Sequence, residues 1–162
     1  MAGSRSLDFS RLGEGHRRGT VAASRIAFTQ INLQHSKDAM AHFVRRFSKL
    51  HTTIAIIQEP WVSHEMIRGL NGAGRVWGAL GDRQRTCFVT RGLEAQLMPK
   101  HTTEDLTAIV VKAKDKDGNP WELVVTSAYF PREGEVPSRE FRGLIVDGDL
   151  ACLRAVTRIR TT

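Results

Sequence analysis

The 162-residue sequence holds only two cysteines, one tyrosine and five prolines. Cys87 and Cys152 belong to no C-x-x-C pair and no Cys/His cluster, which excludes a thiolate zinc site. A single disulfide between them stays open, although a reducing compartment favours two separate buried thiols. No apolar run approaches the ~18 to 20 residues that a membrane span needs. The opening residues, with Arg5 and Asp8, lack the apolar core of a secretory signal. The chain therefore reads as soluble and intracellular, with no membrane partner, and nothing decides between nucleus and cytoplasm.

Several motif-like strings lack the residue that would make them work. In Gly72-Ala73-Gly74-Arg75-Val76-Trp77 a tryptophan stands where G-x-G-x-x-G has its third glycine, and no P-loop lysine follows. This stretch reads as a turn. The histidines at 35, 42, 51 and 64 have no i, i+3 or i, i+4 spacing, so no helix aims two of them at one metal. Ser63-His64-Glu65 sets hydrolase-type residues side by side without a nucleophile elbow, and chance composition accounts for it.

What the sequence does have is positive charge: 24 Lys plus Arg against 17 Asp plus Glu, a net +7. The excess sits at the ends. Residues 1–25 carry Arg5, Arg11, Arg17, Arg18 and Arg25 against Asp8 and Glu14, and residues 150–162 carry Arg154, Arg158 and Arg160 with no acid. A basic arm binds polyanions through counterion release; a solvated end is the ordinary account of so short a run. A composition of 41% hydrophobic and 25% charged residues is that of a globular domain, and this length buries a core of its own.

Residues 1–24, rich in Gly, Ser and Arg, read as a disordered basic leader. Ile26 to Leu33 predicts a strand, and Ser36 caps a helix with Met40, Phe43, Val44, Phe47 and Leu50 on one face. The apolar run Thr53 to Ile57 predicts a strand covered on both faces. A short helix is expected from Ser63 through Leu70. Further strands are expected at 75–78, 86–90, 95–98, 106–113 and 122–129, the last two joined by a turn at Asp115-Lys116-Asp117-Gly118-Asn119-Pro120. Ser138 is placed to cap a last helix carrying Phe141, Leu144 and Ile145, with Leu150, Leu153 and Val156 as an extension of the same face. Residues 151–162 read as residual helix or an unstructured basic tail. This order of elements favours a mixed sheet with helices packed on it.

Three polar residues stand at C-terminal strand ends: Asn32, Glu59 and Tyr129. Taken singly, they are a turn former, a solvated terminus and a core-edge aromatic. Strand ends gathered at one edge of a sheet can also converge on a site.

The strings Gln30-Ile31-Asn32-Leu33-Gln34-His35-Ser36, Ile57-Gln58-Glu59-Pro60-Trp61 and Ser127-Ala128-Tyr129-Phe130-Pro131, in this order, resemble the endonuclease/exonuclease/phosphatase family. The likeness is to its apurinic-type endonuclease branch in non-LTR retrotransposons, and it covers about residues 25–146. It implies an α/β (α+β) fold: a partial two-sheet β-sandwich with flanking helices, an incomplete domain over residues 25–150. It also implies Mg²⁺-dependent hydrolysis, or nicking, of a DNA phosphodiester. Glu59 matches the family's carboxylate metal ligand, Asn32 the amide that orders the cluster, and Tyr129 the phenol at the scissile phosphate. Arg83 and Arg85, before the strand at 86–90, are candidate contacts to the DNA backbone; a surface turn is an equal account. The partners implied are DNA and a reverse transcriptase domain, or another partner covering an exposed sheet.

The departures from the family are as specific as the matches. Its Asp-x-Asn pair, a further Asp and a C-terminal Asp-His pair are not found. Leu144-Ile145-Val146-Asp147-Gly148-Asp149-Leu150-Ala151 resembles the strand leading to Asp-x-Asn, but Ala151 stands where Asn is required, and no histidine follows Asp149. The resemblance therefore implies a C-terminally truncated domain, inactive alone, with an apolar sheet face left open. A basic nucleic-acid-binding module and a vestigial remnant are the alternatives.

Overall fold

The computed structural model describes residues 26–115, 117–130, 139–146 and 152–157. The leader, Pro131, Ser138, the string at 147–151 and the last five residues lie outside this set, and so do the expectations attached to them. Strand β1 (Ala27–Asn32) leads into α1 (Lys37–Phe47) and returns as β2 (Thr53–Gln58), parallel to β1 in register Ala27↔Thr53 to Asn32↔Gln58. A parallel pair needs such a crossover, and the sequence supplies a well-marked one. The Ser36 hydroxyl accepts from the Ala39 N–H at 3.2 Å, Asp38 sits in the first turn, and Arg45 and Arg46 sit in the last, all matching the helix dipole.

The next elements are β3 (Val62–Ser63), β4 (Met66–Ile67), β5 (Arg75–Trp77), β6 (Thr86–Arg91) and β7 (Glu94–Leu97). A 3-10 turn at Pro99–His101 follows, then β8 (Leu106–Lys114) and β9 (Pro120–Tyr129). The chain continues with α2 (Arg139–Val146) and β10 (Cys152–Thr157). Two four-stranded sheets result, in the orders β1-β2-β6-β5 and β10-β9-β8-β7. The turn between β8 and β9 forms where expected: both Asp115 carboxylate oxygens accept, Oδ1 from the Asp117 and Asn119 backbone N–H groups at 2.8 Å, Oδ2 from the Asn119 amide.

Period-two alternation explains how the sheets pack. Phe28, Ile54, Ile56 and Phe88 of the first sheet meet Ile109, Val111 and Val125 of the second in a continuous core, joined by Trp77. The opposite face of the first sheet, with Ala55, Ile57, Cys87 and Val89, packs on Met40, Phe43 and Phe47 of α1. Outside the second sheet, Ala108 and Val124 meet Leu144 of α2, and Leu106 and Ala128 meet Phe141. Gly74 permits the close approach of β5 to β6, because a Cβ there would collide with the Thr90 carbonyl oxygen.

Three expectations are corrected. Residues 63–70 form no helix: Val62–Ser63 and Met66–Ile67 pair as a tight hairpin with His64 and Glu65 at φ of 52° and 59°. Eight residues containing Gly69 hold little intrinsic helix stability. The hairpin tip is instead fixed from outside, Glu65 N–H donating to Asp82 Oδ1 at 2.8 Å and Gly81 N–H to the Glu65 carbonyl at 3.1 Å. Residues 152–157 are not helix or loose tail but strand β10, parallel to β9 from Cys152↔Val124 to Thr157↔Tyr129. The edge of β9 is thereby paired, and the outer face of the second sheet is covered at Leu106, Ala108, Val124 and Ala128 by Phe141 and Leu144 of α2. The large exposed hydrophobics among the described residues, Leu50, Met66, Leu80 and Trp121, are scattered over loops, a hairpin and a strand start.

Cys87 is fully buried and free, and burial pushes its thiol far above the ordinary range. In a Cys152→Ser background the native protein is expected to resist a thiol-specific reagent at mildly alkaline pH and to react once urea unfolds it. Rapid native-state labelling would contradict the packing of α1 on β6.

Candidate functional site

One edge of the sandwich gathers the polar residues. Strands β1, β2 and β9 end there, whereas β6 and β8, antiparallel to β2 and β9, begin there. Asn32 closes β1 opposite Gln58, Glu59 follows β2, and Tyr129 closes β9. Arg85 immediately precedes β6, and Asp105 immediately precedes β8.

Backbone hydrogen bonds stitch these positions together across both sheets. Glu59 N–H donates to the Arg85 carbonyl, Arg85 N–H to the Glu104 carbonyl and Tyr129 N–H to the Asp105 carbonyl, each at 2.8 Å. The His35 N–H donates to the Glu59 carbonyl at 2.8 Å, and His35 Nδ1–H to the Pro60 carbonyl at 2.9 Å. Glu59 itself sits at φ 48°, a left-handed conformation costing on the order of 1 kcal/mol for a residue with a side chain. The hydrogen bonds at its own N–H and carbonyl hold that conformation in place.

Beneath the edge lies a buried polar layer. Gln58 Nε2 donates to the Ala128 carbonyl at 3.0 Å, tying β2 to β9. The Thr107 hydroxyl donates to the Thr86 carbonyl at 3.0 Å and lies 2.8 Å from the Thr86 hydroxyl. Gln84 Nε2 donates to the Thr86 carbonyl at 2.6 Å.

Side chains complete the cluster. Arg85 forms a forked ion pair with Asp105, its Nη2 reaching Oδ2 at 2.8 Å, and its guanidinium carbon lies 5.0 Å from the centre of the Tyr129 ring. Burial pushes the Tyr129 phenol up, and the Glu59 carboxylate reinforces this by its charge and by accepting a hydrogen bond; Arg85 opposes the shift and Asp105 adds to it. The phenol is therefore a proton-bearing donor at neutral pH. Burial also pushes the Asp105 carboxyl up, against the pull of Arg85.

The expected trio is thus brought to one edge, but not as three equal members. Glu59 lies near enough to Tyr129 for its carboxylate to act on the phenol. The Asn32 side-chain oxygen accepts the Gln34 N–H at 2.7 Å and so serves the loop into α1. Arg85 is half-buried within the cluster, whereas Arg83 is exposed on the turn before it. Asp105 was not anticipated from sequence. Its signal was there to find: the residue before an antiparallel strand lies at the edge where the neighbouring strand ends.

No group of three or more His, Cys, Asp or Glu side chains among the described residues could hold a metal ion. The donor chemistry present, the Glu59 carboxylate with an amide nearby and Asp105 already held by Arg85, fits a hard cation in one form only. That form is a cation that keeps most of its water and takes its remaining ligands from outside the chain.

No protein-family model and no curated protein matches the chain. Among solved structures it is similar to the endonuclease domain of TRAS1, a telomere-specific non-LTR retrotransposon, with a TM-score of 0.57 and 22% sequence identity. The match covers 80% of this chain and 57% of that domain. The mixed α/β sandwich described above shares its fold with that endonuclease domain, and the chain spans little more than half of that domain's length.

Proposed function

We propose that this chain is part of a retrotransposon-type endonuclease domain whose polar edge binds a DNA phosphodiester together with Mg²⁺, and that the chain does not cleave DNA by itself. The observation that carries this reading is the gathering of Glu59 and Tyr129 from two different sheets at one edge, tied together through Gln58, Arg85 and Asp105, with Glu59 held in a left-handed conformation. Mg²⁺ bound there would act as a Lewis acid on a phosphoryl oxygen. Glu59 would hold the cation, the Tyr129 O–H would turn from Glu59 to a non-bridging phosphate oxygen once the carboxylate is taken up by the cation, and Asn32 orders the loop that carries Gln34 and His35 past the site. Arg83, exposed beside the edge, adds a contact to the DNA backbone.

Among residues 1–162 no counterpart of the family's Asp-x-Asn and Asp-His groups follows the third motif. Water activation and placement of the leaving oxygen therefore have no residue assigned to them. This is the basis for expecting binding without turnover.

The concentration of charge at the two ends favours a second reading, a basic module that binds nucleic acid through its arms alone. Anisotropy of a labelled DNA duplex separates the two. The proposal predicts a gain in affinity with Mg²⁺ over EDTA in the wild type and no such gain in Glu59→Gln. Binding that ignores Mg²⁺ and disappears when the arginines of residues 1–25, Arg158 and Arg160 are replaced by glutamine would establish the module instead.

A further inference from the structure

We propose that Arg85 is a positioning residue for Tyr129: clamped by Asp105, its guanidinium lies against the phenol ring and fixes the hydroxyl toward Glu59 and the substrate oxygen. The geometry behind this is specific. The Arg85 guanidinium is paired with the Asp105 carboxylate, Nη2 donating to Oδ2 at 2.8 Å and Nε in contact with Oδ1, so its plane is fixed by a partner from the other sheet. A guanidinium carbon 5.0 Å from the ring centre is within range of a cation–π contact. The same residues are joined through their backbones, Arg85 to Glu59 and Glu104, and Asp105 to Tyr129, so the clamp and the ring belong to one rigid unit bridging the two sheets.

An arginine carrying a single hydrogen bond to solvent would be an ordinary surface contact. Here the fork is held by a carboxylate from the other sheet, and that carboxylate's backbone in turn holds the tyrosine. Arg85 thus acts on the site through Tyr129, whereas Arg83 on the neighbouring turn is free to touch DNA. The assignment rests on the proposed phosphate-binding role for its effect on DNA, but not for its effect on the tyrosine.

Tyr129 is the only tyrosine in the chain, so the ring signals of a ¹³C-tyrosine-labelled sample report this one group. Arg85→Met is expected to move those ring signals while the amide signals around the buried Phe88 stay in place. In the DNA assay with Mg²⁺, Arg85→Met is expected to weaken binding by about threefold or more when Tyr129 is present and to have no further effect in Tyr129→Phe, a coupling of the usual size for contacting residues. If Arg85→Met does not fold, Arg85→Gln carries both comparisons, because it too loses the charge and the fork. Unmoved ring signals, or an equal loss of affinity in both tyrosine backgrounds, would overturn the assignment. If the wild type shows no Mg²⁺-dependent binding at all, the proposed function fails while the ring signals still decide whether Arg85 acts on Tyr129.

Discussion

Supercoiled plasmid incubated with Mg²⁺ and the folded protein is expected to stay supercoiled, indistinguishable from a parallel incubation with Glu59→Gln. Phosphodiester hydrolysis needs a cation to take up developing charge, a base to activate water and groups to place the nucleophile and the leaving oxygen. These act as a unit, and losing the base and the positioning groups together forfeits roughly 10⁴-fold or more in rate. In the proposed reading the polar edge, with Glu59 and a protonated Tyr129, supplies only a binding and charge-stabilising half. The neighbouring acid, Asp105, is committed to Arg85 and is unsuited to serve as the base. Relaxation by the wild type that requires Mg²⁺ and is absent from Glu59→Gln would show that this edge hydrolyses DNA unaided.

The second large effect concerns the fold that holds the edge in place. Phe88 is fully buried at the interface of the two sheets, among Ile54, Ile56, Ile109 and Val125. Phe88→Ala is expected to destabilise the protein by about 3 to 5 kcal/mol, through lost burial and the cavity left between sheets that cannot close on it. A domain of this size has about 5 to 15 kcal/mol in all, so at least about a fifth of its stability goes. The midpoint of urea unfolding, followed by tryptophan fluorescence, measures it. A loss below about 1 kcal/mol would mean that the two sheets do not pack on each other at Phe88.

Much of this architecture is legible in the sequence because local signals and tertiary placement agree. Ser36 and the apolar face from Met40 to Phe47 mark α1, and the unbroken apolar run at 53–57 marks a strand with a helix on one side and a second sheet on the other. The hairpin turn at Asp115–Asn119 is equally plain, since Asp115 satisfies three donors by itself.

The failures have a common physical cause. Residues 62–67 form a hairpin because Asp82 and Gly81, distant in sequence, hold its tip, and no local pattern announces that. β10 draws its hydrogen bonds from β9, so its strand character comes from a partner more than twenty residues away. At the site, Asn32, Glu59 and Tyr129 are readable as strand ends. The Arg85–Asp105 clamp is not, because it depends on the two sheets packing face to face with the starts of β6 and β8 at the same end. Glu59 was recognisable by its motif, whereas its left-handed backbone is visible only in the structure.

The central claim, that the edge around Glu59 is a cation and phosphate site, is tested most directly by titrating the ¹⁵N-labelled protein with Mn²⁺ as a paramagnetic substitute for Mg²⁺. The account predicts saturable broadening of amide signals centred on Glu59 and its hydrogen-bonded neighbours Arg85 and His35, and the loss of that broadening in Glu59→Gln. Broadening confined to the acidic turn at Asp115 and Asp117, or broadening around residue 59 that survives Glu59→Gln, would contradict it.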